Sequence, residues 1–362
     1  MSASAFCQAR AKLSDDSLRQ VLHGAAAKMD DSFRSVSRWN GRRVFAVDGC
    51  KVNLQRSEEL DASFGRPEGG HVPQATISCL ANVMTQVPSD VVIGRYGASE
   101  REMLLGHLDI VRAGDVLILD RGYPSHEMLR ILLDHGVDFV VRVPATHSFE
   151  AIHDFRERDG DDYRVILGPA ADVRRGCDPV ELRAVRLTHP SGEESFYLTS
   201  LRRAHVSRAQ IAELYRLRWQ IEELFKLEKS VYFDQRQLHA RSALGVRQEI
   251  IAQAIYVAVA RFLLAAAAEH VDAPYHPTMP SPSRARCSRS RSTWPGSAST
   301  ILNELSTVCL DSSNASPELA TSDDRDAHAH GDPSSPDLDG VPWDVVELNG
   351  IALRSPSSSS LR

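Results

Sequence analysis

Two short apolar runs rich in β-branched residues, Val44-Phe-Ala-Val-Asp48 and Val116-Leu-Ile-Leu-Asp120, each stop at an aspartate. Such residues fit strands, and a run that lacks polar alternation suits a strand buried on both faces of a sheet. A chain that sets these runs among helical patterns must build a sheet with helices packed on it. Each aspartate then stands where a strand leaves the core.

The surrounding pattern extends this reading. Gly49 after Asp48 predicts a turn, because Asp-Gly favours tight hairpins. A second strand over 51–54 and a third apolar run over 75–83 would complete a β-meander. Helical spacing returns over 99–111, followed by the strand at 116–120, a Gly122-Tyr-Pro124 break, a helix over 125–135 and a strand over 138–143. Consecutive strands followed by strands alternating with helices predict a mixed α/β fold.

Residues 1–40 read as a helical segment, with Ser14-Asp15-Asp16 ahead of Leu18, Val21 and Leu22. The central layer divides into 41–144 and 207–275, separated by a β-rich insertion over 145–206 with strand-like runs at 163–167, 181–187 and 196–201. Ser207 and Gln210 form a capping box, Val206 and Ile211 a hydrophobic staple, and one helix is expected to run on through Lys229. A second helix over 243–268 is apolar enough to pack into the core. Residues 276–362 turn to Ser, Pro, Arg and Asp, a composition that predicts disorder. Out-of-frame reading of GC-rich DNA would yield the same vocabulary, and no Lys follows Lys229.

The six cysteines are scattered with no Cys-x-x-Cys pair, so reduced, buried thiols are expected rather than a zinc module or disulfide framework. No uninterrupted apolar run reaches membrane-spanning length, and the first residues lack a signal peptide's apolar stretch, so a cytoplasmic protein without a membrane partner is expected. The net charge of −6 argues against nucleic acid only superficially. Residues 271–362 carry 12 acidic and 7 basic side chains, and the first 270 carry 36 and 35.

A third carboxylate lies within the helical stretch Tyr215-Arg-Leu-Arg-Trp-Gln-Ile-Glu222. On one continuous helix Tyr215, Arg218, Glu222 and Lys229 share a sector of roughly 60°. Such a face would set a carboxylate between two cations and a phenol. Oxygen ligands suit Mg²⁺, and Arg, Lys and Tyr suit phosphate, so three converging carboxylates would make a divalent-metal site for phosphoryl chemistry. Taken singly, each piece has a plainer role: Asp48-Gly49 as a turn, Asp120 as a helix cap, the helix charges as a solvated face.

Together, these residues resemble insertion-sequence transposases of the DDE class, in the branch marked by Tyr-x2-Arg-x3-Glu-x6-Lys. Tyr215, Arg218, Glu222 and Lys229 match that spacing throughout, and the flanks Phe45-Ala-Val-Asp48-Gly49, Ser63-Phe-Gly65, Leu117-Ile-Leu-Asp120-Arg-Gly-Tyr123 and Phe139-Val-Val-Arg142 agree. The resemblance covers about residues 5–275. It implies an RNase H-like core in which Asp48, Asp120 and Glu222 are catalytic and bind two Mg²⁺ ions, with Mn²⁺ able to substitute. Water would cut one strand at the element end, and the freed 3′-hydroxyl would attack target DNA. Tyr215, Arg218, Lys229 and Arg142 would hold DNA phosphates. Double-stranded DNA, at element ends and target, would be the partner of a homodimer assembled on it in the nucleoid.

Relatives that proceed through a DNA hairpin use a tryptophan in the insertion to hold a flipped base. Residues 145–206 contain none, and Phe196 or Tyr197 is the substitute the sequence offers. A catalytically inert remnant that binds DNA or a full-length transposase is the alternative reading. A small-substrate phosphohydrolase fits less well, since no Asp-x-Asp motif or phosphate-cradling glycine loop accompanies Asp48.

Overall fold

The computed structural model describes residues 2–145, 149–168, 179–189, 191–227 and 238–270. Helices α1 (Ala3–Ala11), α2 (Asp15–Ser32) and α3 (Arg34–Ser37) lead into β1 (Arg38–Trp39) and β2 (Arg42–Asn53). Ser14 caps α2, as its sequence suggests, by accepting from the Ser17 backbone N–H. Asn40 and Gly41 both take positive φ, so the β1–β2 hairpin is closed by the Asn-Gly pair suited to that geometry.

After α4 (Glu58–Phe64) come β3 (Gln74–Asn82), β4 (Val87–Arg95), α5 (Glu100–Leu105), β5 (Val116–Leu119), α6 (His126–Asp134) and β6 (Asp138–Val143). Then follow α7 (Glu150–Arg156), β7 (Asp162–Leu167), β8 (Val180–Thr188), β9 (Glu194–Thr199), α8 (Arg208–Arg216), α9 (Trp219–Leu227) and α10 (Ala243–His270). The strands form one mixed sheet in the order β4-β3-β2-β5-β6-β9-β8-β7, with β1 on β2. Strands β2, β3 and β4 are antiparallel, and β5 and β6 then join parallel to β2. This is the mixed α/β, RNase H-like arrangement that the sequence implies. The strands of 145–206 continue the same sheet, because β9 pairs antiparallel with β6.

The meander has different members from those expected. Asp48-Gly49 is no turn: β2 runs straight through it, pairing Asp48 with Cys79 and Gly49 with Ser78 and continuing to Asn53 opposite Gln74. The third strand, β4, contains Pro88 and Asp90, residues depleted in strands, and it pairs across a register shift at Leu80/Ala81.

Period-2 alternation sorts β2 between two apolar layers. Val44 and Ala46 face one with Leu22 and Met29 of α2, Ile221 and Leu224 of α9 and Val257 of α10. Phe45 and Val47 face the other with Leu104, Leu129, Ile152 and Phe155 from α5, α6 and α7. Each fully buried side chain of this kind is worth about 1.5–3 kcal/mol. Helix α10 is long and apolar enough to cross a membrane by length and composition alone. It instead packs on α2 and β4, and its buried Arg261 donates to Gln86 at 2.8 Å. Cys50 and Cys79 are buried and form no disulfide, as expected.

Candidate active site

Strands β2 and β5 pair from Val44↔Val116 to Ala46↔Ile118. Continued by two residues, that register sets Asp48 opposite Asp120, where the strands have parted. Asp48 shares its face with Val44 and Ala46, the side on which α9 packs. Its Oδ1 accepts from the Gly49 N–H at 2.9 Å. Desolvation pushes the Asp48 pKa up to about 6, against the Gly49 bond and Arg218, with help from the charges of Asp120 and Glu100. Asp120 does not cap α6, a role taken by Ser125. Its Oδ1 accepts from the Gly122 N–H at 2.7 Å and so ties down the loop that leaves β5.

Opposite the aspartates stands Arg218. Burial would lower its pKa, but Tyr215, Glu222, Asp48 and Asp120 together hold it above the ordinary value. Arg218 donates a hydrogen bond to Glu222, an i to i+4 pair. The Tyr215 ring packs edge-on against Tyr197 with centroids 4.6 Å apart, and desolvation pushes its pKa up to about 12, so its hydroxyl remains a donor. Arg142 on β6 donates to Ser195 Oγ at 3.2 Å, and its charge is felt by both tyrosines.

The expected single helix is two. It breaks at Leu217 and Arg218, where the backbone tightens to i to i−3 bonds: Leu217 to Leu214 at 3.1 Å, Arg218 to Tyr215 at 3.0 Å and Ile221 to Arg218 at 3.1 Å. The shared sector computed for a straight helix is therefore interrupted, yet Tyr215, Arg218 and Glu222 remain neighbours. Lys229 lies outside the described residues, as does the tail from 276.

Residues 39–258 match the model of a family described as the transposase DDE domain. The chain belongs to this family. A relative from Sinorhizobium fredii named "Putative transposase y4zB" is 25% identical over 172 residues, which is 46% of each chain, so the chain spans less than half that relative's length. Among solved structures, the piggyBac transposase synaptic complex with hairpin DNA is similar at a TM-score of 0.43 and 12% identity, over 76% of this chain and 55% of that one. Endonuclease V of Ciona intestinalis, bound to DNA containing an inosine followed by a ribo-adenosine, is similar at a TM-score of 0.24 and 13% identity, over 57% and 97%.

In this chain of the transposase DDE domain family the three acids do not form one ligand set. Among the described residues no three His, Cys, Asp or Glu side chains gather closely enough to hold a metal ion as they stand. The chemistry of the donors nonetheless suits a hard cation: Asp48, Asp120 and Glu100 are oxygen donors, and the charge of Asp120 raises the proton affinity of both Asp48 and Glu100. A bound cation would relieve that repulsion. Glu222 is instead paired with Arg218.

Phe196 and Tyr197 are 2% and 3% exposed, and neither can stack on a flipped base from within the core. Arg42 and Arg43 pair with Asp138 and Asp115 at the opposite ends of the strands. Glu100 and Tyr123 also lie beside the aspartates. Tyr123 closes the Asp120-Arg-Gly-Tyr123 flank of the resemblance, whereas Glu100, after Ser99, reads only as an ordinary first-turn acid of α5.

Proposed function

We propose that the chain is a DNA transposase that cuts DNA at the ends of an insertion sequence in a Mg²⁺-dependent reaction and joins the cut end to target DNA. The supporting observation is the Asp48–Asp120 pair at the parting of two parallel strands, faced by Arg218 and Glu222, in a chain of the transposase DDE domain family. Two Mg²⁺ ions, for which Mn²⁺ would substitute, would supply stabilisation of the attacking and leaving oxygens of the phosphodiester when bound. Asp48, Asp120 and Glu222 are the carboxylates to hold them. Arg218, with Lys229 and Arg142, would neutralise phosphate charge near the cleaved bond, and the protonated Tyr215 would donate to a phosphate oxygen. The homodimer would form on DNA.

The pairing of Arg218 with Glu222 favours a second reading, an inert remnant that binds DNA or a full-length transposase without cutting. A strand-cleavage assay on duplexes carrying the element's end sequence separates the two. Metal-dependent nicking that falls to background in Asp120→Ala is expected for the enzyme. Binding without nicking by both proteins would establish the remnant.

A further inference from the structure

Gly49 sits in mid-strand, where a glycine weakens a sheet and marks a close approach. It lies on the face of β2 opposite Asp48, paired with Ser78. A Cβ at this position would stand 2.8 Å from Glu100 Oε1 and 2.9 Å from Glu100 Cδ. The Glu100 carboxylate thus occupies the space that any other residue's side chain would take, against the backbone next to Asp48.

The ordinary role of a first-turn acid is to complement the helix dipole while pointing to water. Glu100 is exposed as a residue, as a ligand to a substrate-accessible ion must be, but its carboxyl end lies against the Gly49 backbone. Desolvation and then Asp120 raise its pKa, and Lys51 opposes them. The Tyr123 hydroxyl, on a residue 1% exposed, faces that carboxylate and has no other hydrogen-bond partner among the described residues. A buried hydroxyl directed at a crowded carboxylate marks a place prepared for polar chemistry. Glu222, by contrast, is held by Arg218.

We infer that Glu100 is a metal-binding carboxylate of the same site, reaching the Asp48–Asp120 pair through the gap in the sheet that Gly49 leaves open. The inference rests on the proposed transposase site and adds to it an acid from a fourth element, on the other face of the sheet. It also accounts for Gly49, which no turn requires.

The test is Mn²⁺ binding to the full chain without DNA, followed by loss of the free-ion paramagnetic resonance signal. Glu100→Gln should weaken binding by about tenfold or more, at least the loss seen for outer-sphere partners of metal sites. Glu102→Gln, which removes the same charge from a second exposed position on the same helix that does not approach Gly49, should bind as the unaltered chain does. Gly49→Ala should mimic Glu100→Gln, and the double variant should lose no more than either alone. Thermal melts check that each variant folds, and the Glu100→Gln result stands by itself if Gly49→Ala does not.

If Asp48→Asn and Asp120→Asn lose Mn²⁺ while Glu100→Gln keeps it, Glu100 is only a surface partner of Lys51 and the inference falls while the site stands. If the unaltered chain binds no Mn²⁺, or the aspartate variants bind it undiminished, the site itself is wrong and the inference falls with it.

Discussion

At the scale of single residues, the charge that most opposes folding is that of Asp48, a carboxylate of the proposed site. Asp48 is ionised at neutral pH although burial, Asp120 and Glu100 all favour its protonated form. Its folded pKa, about 6, lies above the unfolded value near 3.9, so the folded state binds the proton more tightly and stability falls as pH rises through that window. The cost above pH 6 is of the order of 3 kcal/mol. Asp48→Asn keeps the acceptor for the Gly49 N–H and removes the charge. It should melt a few degrees higher than the parent at pH 8, with the gain shrinking toward pH 4. A variant that melts lower at pH 8 would contradict this account. Sequence reading found Asp48 by its place after a β-branched run and misjudged Gly49, since Asp-Gly is a turn signal locally and becomes a strand pair only through the distant ladder to β3.

At the scale of elements, the helices that carry the site are held by polar clasps with no local signature. Asp90 of β4 is fully buried and accepts from Arg19 at 2.8 Å and from His23 and His107 at 2.7 Å each, while His107 also meets Ser78 at 3.0 Å. Ser78, His107 and Asp90 have the partners of a catalytic triad, but all three are sealed from solvent, so the network pins α2 and the turn after α5 to the sheet. Burial alone would raise the Asp90 pKa. The bonds from His107, His23 and Arg19 overturn that and hold it far below the carboxylate range. A group with a depressed folded pKa stabilises above its unfolded pKa and loses that contribution as pH falls below about 4. Asp90→Asn should cost about 3–5 kcal/mol at pH 7, measured by urea unfolding, and the deficit should narrow below pH 4. A deficit independent of pH would place the effect elsewhere. The capping box of α8 was legible because its signal is four residues long. The break at Leu217 was not, since no glycine or proline lies there.

At the scale of the whole molecule, the order of strands and helices followed from hydrophobic period, and one continuous sheet did not. The pairing of β9 with β6 brings residues 194–199 beside 138–143 across more than fifty residues of chain, a contact no local pattern encodes. The same distance separates charge from function. The first 270 residues are nearly neutral, 36 acidic against 35 basic, and many arginines are spent on internal pairs such as Arg43–Asp115 and Arg183–Asp162. Under the proposed function, DNA affinity would rest on a few phosphate contacts rather than on a basic surface. With Arg218, Arg142 and Lys229 as those contacts, the slope of log affinity against log salt should be about −3. Arg142, half-buried on β6 and bonded only lightly to Ser195, can exchange that partner for a phosphate without leaving a buried acid unpaired. Arg142→Ala should reduce the slope by about 1 and weaken end and unrelated duplexes alike, as read by fluorescence anisotropy between 50 and 200 mM salt. A slope near −8, or one unchanged by the substitution, would mean that the DNA lies on a different face from the one the carboxylates occupy.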